Sequence, residues 1–424
     1  MWERVKQVWA IEELRKSILF VISMLVLVRF AAHVPIPGIN AAALEGFIAQ
    51  NQIIGLLNIF SGGTLENFSV IMMGVGPYIT ASIIFQLLGM IVPAIEELQK
   101  DGEHGQQRIS QWTRMATVPL ALLQSFGMIN LLRQSQANIF VDLTTFKLIT
   151  IMITVTAGTL FLVWIGELIT EKNIGNGISI LIFAGIISGL PTAIQRMLLT
   201  FDKSQLIQLV AFALLAVITI VGVVFITQGQ RIIPIQYARQ MRGSRMFGGV
   251  STHLPIKVNM AGVIPIIFAI SLVLFPPLIA QFFVKARTEW VATFAENVIQ
   301  FFNDRLVYGI LYFILVFGFT FFYTSIVFQP EKVAENLQKQ GGFVPGIRPG
   351  SSTAEYLGRV TNRVMLAGAL FLAVIAVLPL VVQELMGTGT LLIGGTSLLI
   401  VVSVVIETMN KLESQITMRE YDKL

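Results

Sequence analysis

The chain has 424 residues, 55% of them apolar and only 12% charged, with 29 Lys and Arg against 24 Asp and Glu. Soluble proteins carry about 25% charged residues, so a water-soluble enzyme or nucleic-acid module is excluded, as is a disordered chain, which needs low hydrophobicity. There is no cysteine, hence no disulfide, thiolate zinc site or cysteine nucleophile, and His33, His104 and His253 stand far apart, which argues against a metal cluster.

A helix that crosses hydrocarbon needs about 17–25 mostly apolar residues. Ten runs are read as spans: 18–34, 69–92, 114–132, 146–168, 177–190, 206–227, 259–283, 306–328, 364–385 and 391–406, the fifth and tenth being short. Arg4, Lys6, Arg15 and Lys16 precede the first run as they would a signal peptide, but Arg29 interrupts its end and no cleavage site follows, so it reads as a retained span. With the N-terminus inside, the inner segments hold 21 Lys and Arg and the outer ones 7, with Arg29 in the first span. Basic residues concentrate on the cytoplasmic side, which predicts that both termini are cytoplasmic.

Following the first span, Leu57, Asn58, Ile59, Phe60, Ser61, Gly62, Gly63, Thr64, Leu65, Glu66 and Asn67 are too polar to span and too apolar for a free loop. They form either a short re-entrant element, which needs a protein or water lining, or an external amphipathic surface helix. Gly74-Val75-Gly76-Pro77 interrupts the second run, Gly175-Asn176-Gly177 precedes the fifth, and Ile264-Pro265 lies in the seventh. Proline removes a helix hydrogen bond and glycine permits close backbone approach, so these breaks are kinks of a tight bundle or the mark of helices lining something.

The inner loops 228–258 and 329–363 are long and densely patterned; the first mixes arginines with a β-like stretch around Tyr237. Such loops are either ordered protrusions that dock a cytosolic partner or passive basic topology signals held near anionic lipid. Ion-coupled transporters carry ionisable groups at mid-membrane. Here Arg29 and Glu167 stand near span ends, where side chains reach the interface, and the span interiors hold almost no charge. No phosphate-binding loop, HExxH or Ser/His/Asp constellation is evident. The expectation is therefore no catalytic residue, no cofactor and no metal, with work driven by a partner. A secondary transporter of a small solute is the alternative.

Seven segments carry a resemblance: VPIPGIN (34–40), FSGG (60–63), GPYITASIIFQLL (76–88), EKNIGNGISILIFAGI (171–186), STHLPIKVNMAGVIPIIFA (251–269), FVPGIRPG (343–350) and GGTSLLIVVSVVIE (394–407). In this order they resemble the SecY/Sec61 alpha family over residues 11–407. The resemblance implies an all-α polytopic membrane protein with ten transmembrane helices in two pseudo-symmetric five-helix halves around a central pore. It divides the chain into an N-terminal half 1–190, an external hinge 191–205, a C-terminal half 206–407 and a cytoplasmic tail 408–424. The sequence read by itself shows no repeat.

Members of the family conduct unfolded secretory polypeptides across the bacterial plasma membrane and release apolar segments sideways into lipid. Carried over by position, the pore ring falls on Val75, Ile79, Ile178, Ile182, Ile267 and Ile400, with valine where isoleucine is expected at 75. The segment 57–67 becomes the plug. Ser82 and Gln86, on one helix face, become lateral-gate polar residues or else interhelical hydrogen bonds without a gating role. Arg242, Arg245, Lys257 and Arg348 become the docking residues for the motor ATPase SecA and for the ribosome, whose RNA phosphates suit scattered arginines. Other implied partners are SecE, SecG, signal sequences, nascent polypeptides and membrane lipids; DNA is not among them.

Overall fold

The computed structural model describes residues 9, 11–50, 58, 61–134, 139–140, 144–199, 206–237, 240–242, 245–247, 251–284, 286–386 and 395–421. Arg4, Lys6, Leu57, Ile59, Phe60 and residues 200–205 of the anticipated hinge lie outside them. Each of the ten apolar runs contains a helix. In the first half these are α1 (Glu12–Ala31), α3 (Gly76–Ile91), α5 (Gly102–Gln134), α6 (Thr145–Glu171) and α7 (Gly177–Leu199), with short α2 (Ala41–Gln50) and α4 (Pro93–Lys100) between them. The second half has α8 (Leu206–Gln228), α9 (Ile264–Phe283), α11 (Arg305–Val327), α13 (Ser351–Met386) and α14 (Gly395–Tyr421), with α10 (Glu289–Asn303) and α12 (Pro330–Lys339) outside the runs.

Among the described residues, five helical stretches are long and apolar enough to cross a membrane, and a sixth is obtained if α3 and α4, bent by 108° at their junction, count as one. The bend follows from Pro93: the residue before proline is pushed out of the helical region, and Val92 sits at φ −104°, ψ 109°. Helix ends are chemically marked. Glu12 and Glu13 open α1 and Arg29 lies in its last turn, matching the helix dipole. The Asp304 side chain accepts from Leu306 N and Val307 N at 2.9 and 3.1 Å to start α11, satisfying donors that a helix leaves orphaned.

Two runs are shorter as helices than the sequence suggests. Residues 69–75 form turns, and α3 begins at Gly76. Likewise, α9 begins at Ile264 rather than at 259. Pro77 and Pro265 both stand in the first turn of their helices, so they are helix starts and not interior kinks. A proline there loses nothing, since its missing N–H has no intrahelical acceptor.

The main core draws on both halves, with Ile83 and Ile165 of the first packed into one cluster with Val273, Val316 and Leu372 of the second. A second cluster joins α2 to α5 and α6 through Leu44, Ile129 and Val155. Polar structure gathers at one end, where β1 (Gln230–Tyr237) pairs antiparallel with β4 (Ser251–Lys257) and with β5 (Gly342–Phe343), giving the order β4-β1-β5. A separate hairpin pairs β2 (Gln240–Arg242) with β3 (Arg245–Phe247).

Candidate functional site

The helices that carry the anticipated ring start in two ways, each used twice. Gly74 has φ 56° and Gly262 φ 64°, a left-handed conformation that glycine adopts without steric cost. Val75 and Val263 follow as the residues capping α3 and α9, and Pro77 and Pro265 fill the first turns. Ile79 N then donates to Val75 O at 3.0 Å, and Ile267 N to Val263 O at 3.2 Å. The hexapeptides Gly74–Ile79 and Gly262–Ile267 thus share the pattern G-V-x-P-x-I in sequence and the same opening turn in structure. A second pair, Gly177–Ile182 opening α7 and Gly395–Ile400 opening α14, shares G-x-S-x-L-I. Four of the six ring residues are the terminal isoleucines of these hexapeptides. The repeat is too short to stand out until the helix starts are aligned.

At α7 the chain is tied closely. Gly177 N donates to Thr170 Oγ1 at 2.8 Å, and Ser179 N to Asn176 Oδ1 at 3.2 Å. A Cβ at Gly177 would run into the Gly166 carbonyl oxygen, so α6 and α7 approach backbone to backbone.

Val75, Ile79, Ile182, Ile267 and Ile400 are buried in the main core cluster, and Ile178 packs against it half-buried. All six thus belong to, or pack against, one large core cluster. Val75, Ile79, Ile182 and Ile267 also line a partly open cavity of about 90 Å³, whereas Ile178 and Ile400 do not. Val263, the counterpart of Val75, is buried in the same cluster and was not singled out from the sequence.

Ser61 and Leu65 of the anticipated plug line the same cavity. The described residues 61–67 are turns rather than a surface helix. Asn58 organises them: its carbonyl oxygen accepts from Gly63 N at 2.8 Å and from Ser61 Oγ at 3.0 Å, and its Oδ1 accepts from Glu66 N at 3.1 Å. Thr64 and Leu65 are buried, while Asn67 is exposed. Gly62 and Gly63, at φ 78° and 76°, supply two successive left-handed residues. One residue of this site has partners that the sequence does not show. Arg29, expected at the interface, is part-buried and donates to Gly62 O and to Ser188 Oγ of α7, both at 3.1 Å. Glu167, the other span-end charge, pairs with Arg114 of α5 at 2.9 Å.

The seam of α3 and α5 against α9 is apolar on one side, with Phe126 and Phe282 rings 5.1 Å apart. Gln86 Nε2 donates to Ser82 Oγ at 3.1 Å within α3, an i,i+4 pair rather than an interhelical bond, and neither residue lines the cavity. The polar groups that do line it include Thr80, Gln124 and Ser271, and Gln124 Nε2 of α5 donates to Thr80 Oγ1 of α3 at 3.3 Å. A glutamine inside the apolar run 114–132 was the available signal.

The two long loops meet in one platform. Gln236 of the first pairs with Phe343 of the second across β1 and β5, and Ile233, Ile256, Val344 and Leu357 form a common small core. Lys257 and Arg348 are exposed on it, and the Arg348 carbonyl accepts from Thr353 Oγ1 at 2.9 Å. Arg242 and Arg245 are directly opposed in the β2-β3 hairpin. The two loops are thus ordered against each other through a shared sheet and core.

Comparison with known proteins agrees with this geometry. Residues 69–409 match the family model described as SecY. Protein translocase subunit SecY of Corynebacterium glutamicum is 45% identical, over 97% of this chain and 97% of its own length. A structure solved as a protein conducting channel superposes with a TM-score of 0.63 at 18% identity, covering 93% of this chain and 91% of that one. Another, reported for a plug domain that stabilises the closed state of the SecY channel, gives 0.60 at 18% identity with the same coverage. At such identities these two structures speak to the fold.

Proposed function

The chain belongs to the SecY family, and on that premise we propose that it is the central subunit of a protein-conducting channel in a bacterial plasma membrane. It passes unfolded secretory polypeptides and releases apolar segments laterally into lipid. The observation that carries this reading is the convergence of Val75, Ile79, Ile178, Ile182, Ile267 and Ile400 in one cluster between the two halves, with the 61–67 turns against it. A girdle of branched aliphatics sheds water and so blocks ions. It offers a passing chain no hydrogen bond to hold it, and side chains can part where a rigid ring could not.

In this reading the turns close the pore from one side as a plug, and the α3/α5–α9 seam, with the Thr80–Gln124 bridge, is the lateral gate. Both termini are cytoplasmic, SecE and SecG are the membrane partners, and the sheet platform receives SecA or the ribosome. The chain itself performs no covalent chemistry. Arg348→Glu should then abolish most motor-driven export while assembly is retained; unchanged export in inverted vesicles would remove the platform from the mechanism.

The decisive test uses the cysteine-free background. A secretory precursor carrying one cysteine is stalled part-way through Ile182→Cys channels and oxidised. A disulfide that requires the signal sequence is expected. Export without any adduct would place the conduit elsewhere.

A further inference from the structure

Arg29 is a part-buried cation at the end of α1. Among the described residues it forms no ion pair, and Nη1 donates to Gly62 O and to Ser188 Oγ, both at 3.1 Å. Ser188 Oγ in turn donates to Gly185 O at 2.7 Å, one turn back on α7. Gly62 lies against that same Gly185, so close that a Cβ at 62 would sit 2.7 Å from Gly185 Cα. One residue of α1 therefore ties the tip of the turns to the helix on which the tip rests. The turn tip needs glycine twice over, for its φ of 78° and for this backbone contact.

A part-buried guanidinium gains by keeping its acceptors, since a hydrogen bond from a charged donor is worth more than one from a neutral group. If the turn swings away, Arg29 loses its carbonyl acceptor while its neighbours Val28 and Ala32 still pack with the apolar core. That cost falls on the open state alone.

We propose that Arg29 is a latch: by bridging Gly62 to Ser188 it holds the 61–67 turns in the pore mouth, so that closure depends on a cation of the first span as well as on apolar packing. The proposal rests on the plug reading above. Its functional role is positioning, since Arg29 acts on the pore through the turn.

The test compares four channels, each in complex with its partner subunits and reconstituted for ion-leak recording: intact, Arg29→Leu, deletion of 58–66, and both together. Loss of a charged hydrogen bond shifts the closed-to-open ratio about tenfold, and leak in Arg29→Leu should rise by about that factor. The double variant should leak no more than the deletion alone. Ser188→Ala, which keeps the cation and removes one acceptor, should raise leak about threefold and repeats the test with less risk to assembly. A readout independent of conductance is labelling of Thr64→Cys, a position 2% exposed, by a water-soluble maleimide; it should quicken with Arg29→Leu.

A leaking deletion beside unchanged leak and labelling in both Arg29→Leu and Ser188→Ala would overturn the latch and leave the plug reading intact. Leak that adds to that of the deletion would mean that Arg29 supports the bundle and not the turn. A deletion that does not leak would refute the plug reading, and the latch with it.

Discussion

Helices α3 and α9 open on the same hexapeptide pattern, with a left-handed glycine, a capping valine and a first-turn proline, and each presents its isoleucine one turn in. They differ in what stands before them. Ahead of α3 come the turns 61–75, folded back over the cavity and fastened by Asn58 and Arg29. Ahead of α9 the chain arrives directly from β4, and Asn259, donating to Gly262 O at 3.3 Å, braces the start. The comparison separates two tasks. Placing an apolar residue at the centre needs only a defined helix start, and both halves have one. Covering the centre needs extra chain, which one half supplies.

Six substitutions sharpen or break this comparison. Ile79→Ala and Ile267→Ala remove equivalent, equally buried side chains, and each should cost about 2–5 kcal/mol. Thermal unfolding of the purified complex should show nearly equal losses; a large inequality would mean that the two starts are alike only in sequence. Gly62→Ala should be more disruptive than Gly63→Ala. Both force an L side chain into the left-handed region at about 1–2 kcal/mol, but Gly62 also meets Gly185 while Gly63 faces open space. Maleimide labelling at Thr64→Cys reads this, and equal rates would remove the close contact from the argument. Asn176→Ala takes away the side-chain acceptor for Ser179 N at the start of α7, while the starts of α3 and α9 have no side-chain cap. It should lower stability by about 1 kcal/mol in the same unfolding assay. Smallest is Val75→Ile. The cavity beside Val75 accommodates an extra methylene, so stability should change by less than about 1 kcal/mol while ion leak falls. A rise in leak would show that valine is required there, as its counterpart Val263 suggests.

Much of the site was legible because its chemistry is local. Val75, Ile79, Ile182, Ile267 and Ile400 sit in short segments whose glycines and prolines fix helix starts, and all five are buried in one cluster. What the sequence leaves open is not local. Arg29 looked like an interfacial residue because its acceptor, Gly62, is on a turn that sequence periodicity does not place. Ser82 and Gln86 share a helix face, but that spacing serves equally for a bond within α3, which is the one formed. The Thr80–Gln124 bridge joins two helices whose relative rotation no single run reveals.

The amino-acid sequence by itself determined that this chain lives in a membrane, where its ten apolar runs lie, and which side of them is basic, because transfer of side chains from water depends on composition alone. Glycine and proline mark the breaks in those runs, since their backbone preferences act within a few residues, but that α3 and α9 start at 76 and 264 is seen only in the structure. Only the tertiary structure decided which apolar residues face one another, that β5 of one loop completes the sheet of the other, and that a first-span arginine reaches a turn 33 residues away. Those outcomes depend on how whole helices pack, and packing is settled by shape and by the need of every buried polar group for a partner.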